Sequence, residues 1–138
     1  VYAKHGVGAG LAPFFPALPQ RIAAAHLVIG RSGASTVAEL ATVGRPSILV
    51  PYPYAADDHQ TANARAFEAA GACLVIPHGA FDAATLAGHL AGLFEAPERL
   101  AAMAAAAHGA ARPDAAARLA DAVGELTGLS LQPSGVPA

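Results

Sequence analysis

The segment Arg31-Ser32-Gly33-Ala34-Ser35-Thr36 has the residue types that hold an anion. It follows the compact apolar run Leu27-Val28-Ile29-Gly30 and opens a helical stretch. In open α/β sheets, ligands bind beyond the carboxyl ends of the strands. A helix start there offers unpaired backbone N–H groups and a partial positive charge. Gly33 lets a phosphate approach the backbone, and the Ser and Thr hydroxyls add donors. The segment matches no P-loop pattern. A plain strand-to-helix turn with Ser35 or Thr36 as N-cap accounts for the same residues, and both readings stand at this level.

Glu39 and the pair Gln60 and Asn63 also have two readings each. Thr36-Val37-Ala38-Glu39 is a capping-box pattern, in which Glu39 bonds back to the Thr36 N–H. Alternatively, the Glu39 carboxylate accepts two hydroxyl hydrogen bonds from a ribose, as acidic residues do in dinucleotide sites. Gln60 and Asn63 are three apart and share a helix face. Two neutral amides on one face suit sugar hydroxyls. Asp57 to Gln60 is a competing capping box, but Asn63 lies in the second turn, beyond any cap. Asp57, Asp58 and His59 do not form a metal site by sequence, because adjacent helical residues point different ways and no partner cluster exists. Phe14-Phe15, set between Pro13 and Pro16, serves either as local core or as a cover for a base. His5, His26, His78, His89 and His108 have no ligand spacing, and no Gly-x-Ser-x-Gly, His-Glu-x-x-His or paired-Cys motif occurs.

The elements that must position these residues follow from periodicity and breakers. Leu11 to Pro16 reads as a short extended segment entering a loop. Leu18 to Ala25 is expected as a short helix. Leu27 to Gly30 reads as a strand buried on both faces. Thr36 to Val43 is the next helix, ended by Gly44 and Pro46. Ser47 to Val50 is a second buried strand. A helix from about Asp58 to Ala70 is closed by Gly71, and Ala72 to Ile76 is a third strand. Asp82 is placed to N-cap a helix carrying Leu86, Leu90, Leu93 and Phe94 on one side. Pro97 begins another helix, with Leu100 and Met103 as core contacts. Pro113 begins the last, with Leu119, Val123 and Leu126 on a buried stripe and Gly128 beyond. The domain is expected over 1–128, and 129–138, rich in Pro, Gly and Ser, is expected as a disordered tail. Strands alternating with helices indicate an α/β domain with a partial Rossmann-like parallel sheet and flanking helices. A complete doubly wound domain has about six strands, so this reads as the second half of a larger sheet.

Composition narrows the function classes. With 54% hydrophobic and 13% charged residues, a packed core is expected rather than disorder. A net charge of −2 argues against nucleic acid or anionic lipid as partner. The single Cys73, in an apolar run, allows no internal disulfide and is expected as a buried small hydrophobe in a reducing compartment. No apolar stretch reaches the ~20 residues of a membrane helix. The chain starts at Val1, with no initiator Met and no signal-peptide plan, which fits a processed end, a trimmed chain or a gene fragment, and of these a fragment is expected from the partial sheet.

Taken together, four segments resemble the carboxy-terminal domain of the MurG family. They are Pro13-Phe14-Phe15, Arg31 to Leu40, Gly44 to Pro51, and Asp58-His59-Gln60-Thr61-Ala62-Asn63-Ala64. The resemblance runs from about Pro13 to about Thr127. The family comprises the undecaprenyldiphospho-muramoylpentapeptide beta-N-acetylglucosaminyltransferases of glycosyltransferase family 28. It implies a GT-B fold, with two Rossmann-like domains and the active site between them. It implies inverting transfer of N-acetylglucosamine (GlcNAc) from UDP-GlcNAc to lipid I, giving lipid II of peptidoglycan synthesis. Carried onto this chain, Phe14 and Phe15 match the uracil segment. Ser32, Gly33, Ala34 and Thr36 match the helix start near the diphosphate. Glu39 matches the ribose carboxylate, while Gln60 and Asn63 match residues reaching the sugar hydroxyls. Arg31 matches the first residue of its motif, without an assigned role.

No metal or cofactor is implied. The acceptor domain and its lipid-facing patch have no counterpart here, and neither does the Gly-Gly-Ser loop that opens the family's carboxy-terminal domain. The chain alone is therefore expected to be inactive, and its full-length form to sit at the cytoplasmic face of the plasma membrane. No catalytic base is named, since family position puts His59 at the donor sugar. A UDP-GlcNAc-binding module working with a separate acceptor polypeptide is the alternative. Another UDP-sugar enzyme, such as an epimerase, is disfavoured by the Arg-Ser-Gly-Ala block.

Overall fold

The structure, a computed structural model, describes residues 2–128, so the expected tail at 129–138 lies outside the described residues. Three short strands, β1 (Val28–Gly30), β2 (Ser47–Leu49) and β3 (Cys73–Val75), pair in parallel in the order β1-β2-β3. The helices are α1 (Leu18–Ala24), α2 (Ala34–Val43), α3 (His59–Ala69), α4 (Ala83–Phe94), α5 (Pro97–Gly109) and α6 (Ala115–Thr127). Two successive crossovers in one direction, both right-handed by the usual rule, put α2 and α3 on the same face of the sheet.

The core confirms that layering. Leu49 packs with Ile22 of α1, Leu40 and Ala41 of α2, and Ala64 and Phe67 of α3. Ile48, Val50 and Ile76 face the other way, onto Leu93 of α4 and Met103 of α5. Period-two alternation along β2 thus feeds two separate clusters, and all three of its residues are buried. The end of α2 is a left-handed cap at Gly44 (φ 67°), where a Cβ would lie 3.2 Å from His108 Cβ. Glycine here serves both the backbone and the close passage of α5.

The sheet has two different edges. On β3 the outward Val75 N–H donates to Glu68 Oε1 at 3.1 Å, and Glu68 Oε2 takes Arg65 at 2.6 Å. A carboxylate thus covers that edge. On β1, Val28 N–H and Gly30 C=O bond to the β2 side, which turns the Ile29 peptide groups outward. Ile29 is 43% exposed, so β1 is not the doubly buried strand its composition suggests. It is an edge strand with apolar residues on an open side.

Leu11 to Pro16 is neither helix nor strand, as expected of a segment entering a loop. Other expectations need correction. Helix α2 starts at Ala34 with Gly33 as N-cap, so Thr36 is inside the first turn and cannot cap; no side-chain cap bond forms. Helix α3 is entered through a single 3-10 turn, Ala56–Asp58, and no Asp57–Gln60 box forms. Phe94 is 58% exposed, although Asp82 caps α4 as expected, accepting from Thr85 N–H at 2.7 Å. Helix α6 begins at Ala115, two residues after Pro113, and buries none of its residues. Leu119, Val123 and Leu126 are exposed. Their spacing specified an amphipathic helix correctly, but a stripe does not state what covers it.

Two buried polar atoms give tests of the core. Cys73 is 3% exposed, and burial pushes its thiol up to about 12, with the nearby Glu68 charge adding to the rise. The thiolate is therefore scarce at neutral pH, and Cys73 is expected to resist a thiol reagent until the chain unfolds. Full labelling of the native protein within minutes would contradict this placement. Ser47 Oγ is buried without a hydrogen-bond partner among the described residues. Removing an unpaired hydroxyl relieves a desolvation cost, so Ser47→Ala is expected to hold or raise the melting temperature. A fall of several degrees would show that the hydroxyl has a partner.

Candidate functional site

At the carboxyl ends of β1 and β2 the chain forms a closed ring of hydrogen bonds. Ser32, fully buried, donates its hydroxyl to the Gln60 carbonyl at 2.7 Å. Asn63 Nδ2 donates to the Ser32 carbonyl at 3.1 Å. Tyr52 N–H donates to Gln60 Oε1 at 3.0 Å. Arg31 Nη1 donates to the Val50 and Pro51 carbonyls at 3.1 and 3.0 Å. The ring joins the end of β1, the end of β2 and the start of α3, and so holds the starts of α2 and α3 side by side.

These bonds fix which way the two amides face. A backbone N–H only donates, so the oxygen of Gln60 must meet Tyr52, leaving Nε2 without a protein partner among the described residues. A carbonyl only accepts, so the nitrogen of Asn63 must meet Ser32, leaving Oδ1 open. The pair therefore presents one donor and one acceptor. Vicinal hydroxyls, which both donate and accept, are matched by such a pair.

Gly33 sits at the N-cap of α2 in an ordinary extended conformation (φ −60°, ψ 151°). A Cβ there would meet only Thr36 Oγ1, at 3.9 Å. Nothing in the protein itself requires glycine at this position. The first N–H groups of α2 have no side-chain cap, so they remain available to an anion. Ser35 and Thr36 lie in the first turn. Glu39 follows one turn later on their side of the helix, half-buried and without a hydrogen bond among the described residues.

The remaining sequence candidates lie apart from this ring. Phe14 is 76% exposed, while Phe15 lies under the Arg21 guanidinium, 4.0 Å from its ring centroid. Neither makes a hydrogen bond or ring contact to the ring members among the described residues. They stand just before α1, which packs on α2. His59 Nδ1 is engaged with the Ala56 carbonyl at 2.6 Å. No group of three or more His, Cys, Asp or Glu is placed to hold a metal among the described residues.

Two features of the site escape residue-type reasoning. One is Tyr52, which acts through its backbone. The other is the pair Asp57 and Asp58, both left-handed at φ 50° and 51°. Successive left-handed non-glycine residues are costly, on the order of 1 kcal/mol each. They turn the chain sharply enough for Gln60 to fold back onto Tyr52. Aspartate is among the few residues that tolerate this conformation, and that was the available signal. An apolar groove of about 820 Å³ runs between α2 and α3, but it shares only Ala34 and Asn63 with this site.

The glycosyltransferase family 28 C-terminal domain matches residues 2–119. The chain belongs to this family. It is 60% identical over 128 residues to the UDP-N-acetylglucosamine--N-acetylmuramyl-(pentapeptide) pyrophosphoryl-undecaprenol N-acetylglucosamine transferase of Rhodospirillum centenum, covering 93% of this chain and 34% of that protein. A relative of the same description from Methylobacterium nodulans is 58% identical, with 91% and 34% covered. The crystal structure of Acinetobacter baumannii MurG aligns with a TM-score of 0.75 at 33% identity, covering 83% of this chain and 33% of that one. The three-stranded parallel sheet with flanking helices is thus that of a family 28 carboxy-terminal domain. The chain spans about a third of the length of these relatives.

Proposed function

We propose that this chain is the donor-binding part of an inverting glycosyltransferase that moves GlcNAc from UDP-GlcNAc to lipid I, forming lipid II. The observation that carries this reading is the bare Gly33 corner. It is a position where the protein needs no glycine, beside uncapped N–H groups and two oriented amides. The names of the relatives supply the substrate class.

In this reading the β-phosphate of the donor sits on the start of α2, at Ser32, Gly33, Ala34 and Thr36. Gln60 Nε2 and Asn63 Oδ1 meet the sugar hydroxyls, Glu39 holds the ribose, and Phe14 and Phe15 border the uracil. The acceptor hydroxyl oxygen forms a bond to the anomeric carbon from the side opposite the diphosphate. The bond from that carbon to the phosphate oxygen breaks, and its electron pair leaves with UDP. The growing charge on the diphosphate is offset by fixed N–H dipoles, which need no reorganisation. The acceptor hydroxyl and the base that takes its proton are held by parts of the relatives outside this third of their length. Transfer therefore requires them, and so does placement at the cytoplasmic face of the membrane. No described helix is long and apolar enough to cross a membrane.

Glu39→Ala tests the ribose contact. The carboxylate makes no hydrogen bond among the described residues, so its loss is expected to leave the melting temperature unchanged. UDP affinity is expected to fall about tenfold, the size of a lost charged hydrogen bond. A drop in melting temperature with unchanged affinity would restore a structural role for Glu39.

A further inference from the structure

We infer that Arg31 is a positioning residue which acts on the sugar through Tyr52 and Gln60 and does not itself hold the diphosphate. The inference rests on the donor-site reading above. Arg31 is the cation nearest in sequence to the Gly33 corner, and charge alone would make it a phosphate ligand. Its geometry says otherwise. Both hydrogens of Nη1 are directed at backbone carbonyls, those of Val50 and Pro51, which anchors the guanidinium on the β2 loop and leaves only Nη2 and Nε without a partner among the described residues. The same nitrogen lies 3.4 Å from His78 Nδ1, beyond β3. The guanidinium carbon is 5.6 Å from the Tyr52 ring centroid. Arg31 thus spans the ends of all three strands, and every contact of its side chain among the described residues is to the segments after β2 and β3.

The consequence runs through one peptide unit. Pro51 C=O and Tyr52 N–H belong to the same planar group and point in opposite directions. Holding the carbonyl on Arg31 aims the N–H at Gln60 Oε1. That contact leaves Nε2 of Gln60 facing outward as a donor. Without Arg31 the peptide is free to rotate, and Gln60 loses the partner that selects its amide orientation. The diphosphate contacts, made by the start of α2, are untouched by this change.

Calorimetric titration of the chain with UDP and with UDP-GlcNAc, for wild type, Arg31→Ala, Arg31→Lys, Gln60→Ala and the double variant, tests this. Amide exchange at Tyr52 is read on the same proteins by NMR. Arg31→Ala is expected to speed Tyr52 exchange about tenfold. It is expected to keep UDP affinity within about twofold and weaken UDP-GlcNAc about fivefold to tenfold. The double variant is expected to bind UDP-GlcNAc no more weakly than Gln60→Ala alone, because the two residues act in series. Arg31→Lys, which keeps a donor on a shorter stem, is expected to recover part of the loss. Equal loss of UDP and UDP-GlcNAc affinity would overturn the inference and make Arg31 an anion ligand. Unchanged Tyr52 exchange would overturn it too. A folded wild type that binds neither ligand would instead overturn the donor-site reading, with Tyr52 exchange still deciding the Arg31 contact.

Discussion

Gly33→Val is expected to weaken UDP binding about a hundredfold while the protein stays folded. The size follows from displacing a diphosphate from two backbone N–H groups, each charged hydrogen bond being worth roughly 1.5–3 kcal/mol. A tenfold change corresponds to about 1.4 kcal/mol, so losing part of two bonds is enough. The fold is expected to tolerate the change because φ −60° and ψ 151° suit a β-branched residue and a Cβ meets only Thr36 Oγ1 at 3.9 Å. Valine is a poorer N-cap than glycine, so a fall of a few degrees in melting temperature is expected. Calorimetric titration together with a thermal melt reads both quantities. Wild-type affinity in the variant would mean that no ligand approaches this corner.

Ile48→Ala is expected to destabilise the chain by about 2–5 kcal/mol, the range for emptying a fully buried aliphatic site. Ile48 is at the centre of β2 with no exposed surface, packed with Val50, Ile76, Leu93 and Met103. Against a typical total stability of roughly 5–15 kcal/mol, such a loss leaves a large part of the chain unfolded or close to it. Ile29→Ala makes the contrast. Ile29 is equally apolar and also mid-strand, but it is 43% exposed on the β1 edge. Its loss is expected to cost under about 1 kcal/mol, in line with partial burial. Urea denaturation of both variants tests the pair. Equal costs would mean that the open side of β1 is covered in solution.

That contrast shows where sequence reasoning stops. Leu27-Val28-Ile29 and Ile48-Leu49-Val50 are both short apolar runs, and composition cannot say which is an edge. Strand order decides it, and order depends on pairings between segments far apart in the chain. Helix α6 makes the same point, since its period was legible but its exposure among the described residues was not. Breakers gave the ends well: Gly44 is the left-handed cap of α2, and Asp82 caps α4 through its side chain. At the site, the residue types that suit an anion and a sugar were legible in Ser32, Gly33, Gln60 and Asn63. What they bond to was not. The capping boxes read at Thr36–Glu39 and Asp57–Gln60 are absent because each helix starts where the backbone turns, at Gly33 and at the left-handed Asp58. The Tyr52 contact could not be read at all, because a backbone N–H leaves no mark on residue type.

The most direct test is a UDP titration of the isotope-labelled chain, followed by amide NMR. Saturable shifts are expected at Gly33, Ala34, Ser35 and Thr36, with Glu39 close behind and the α4 and α5 amides still. A folded chain whose shifts cluster along Ala66, Phe67 and Ala106, or whose spectrum does not respond to UDP, would contradict the donor-site reading.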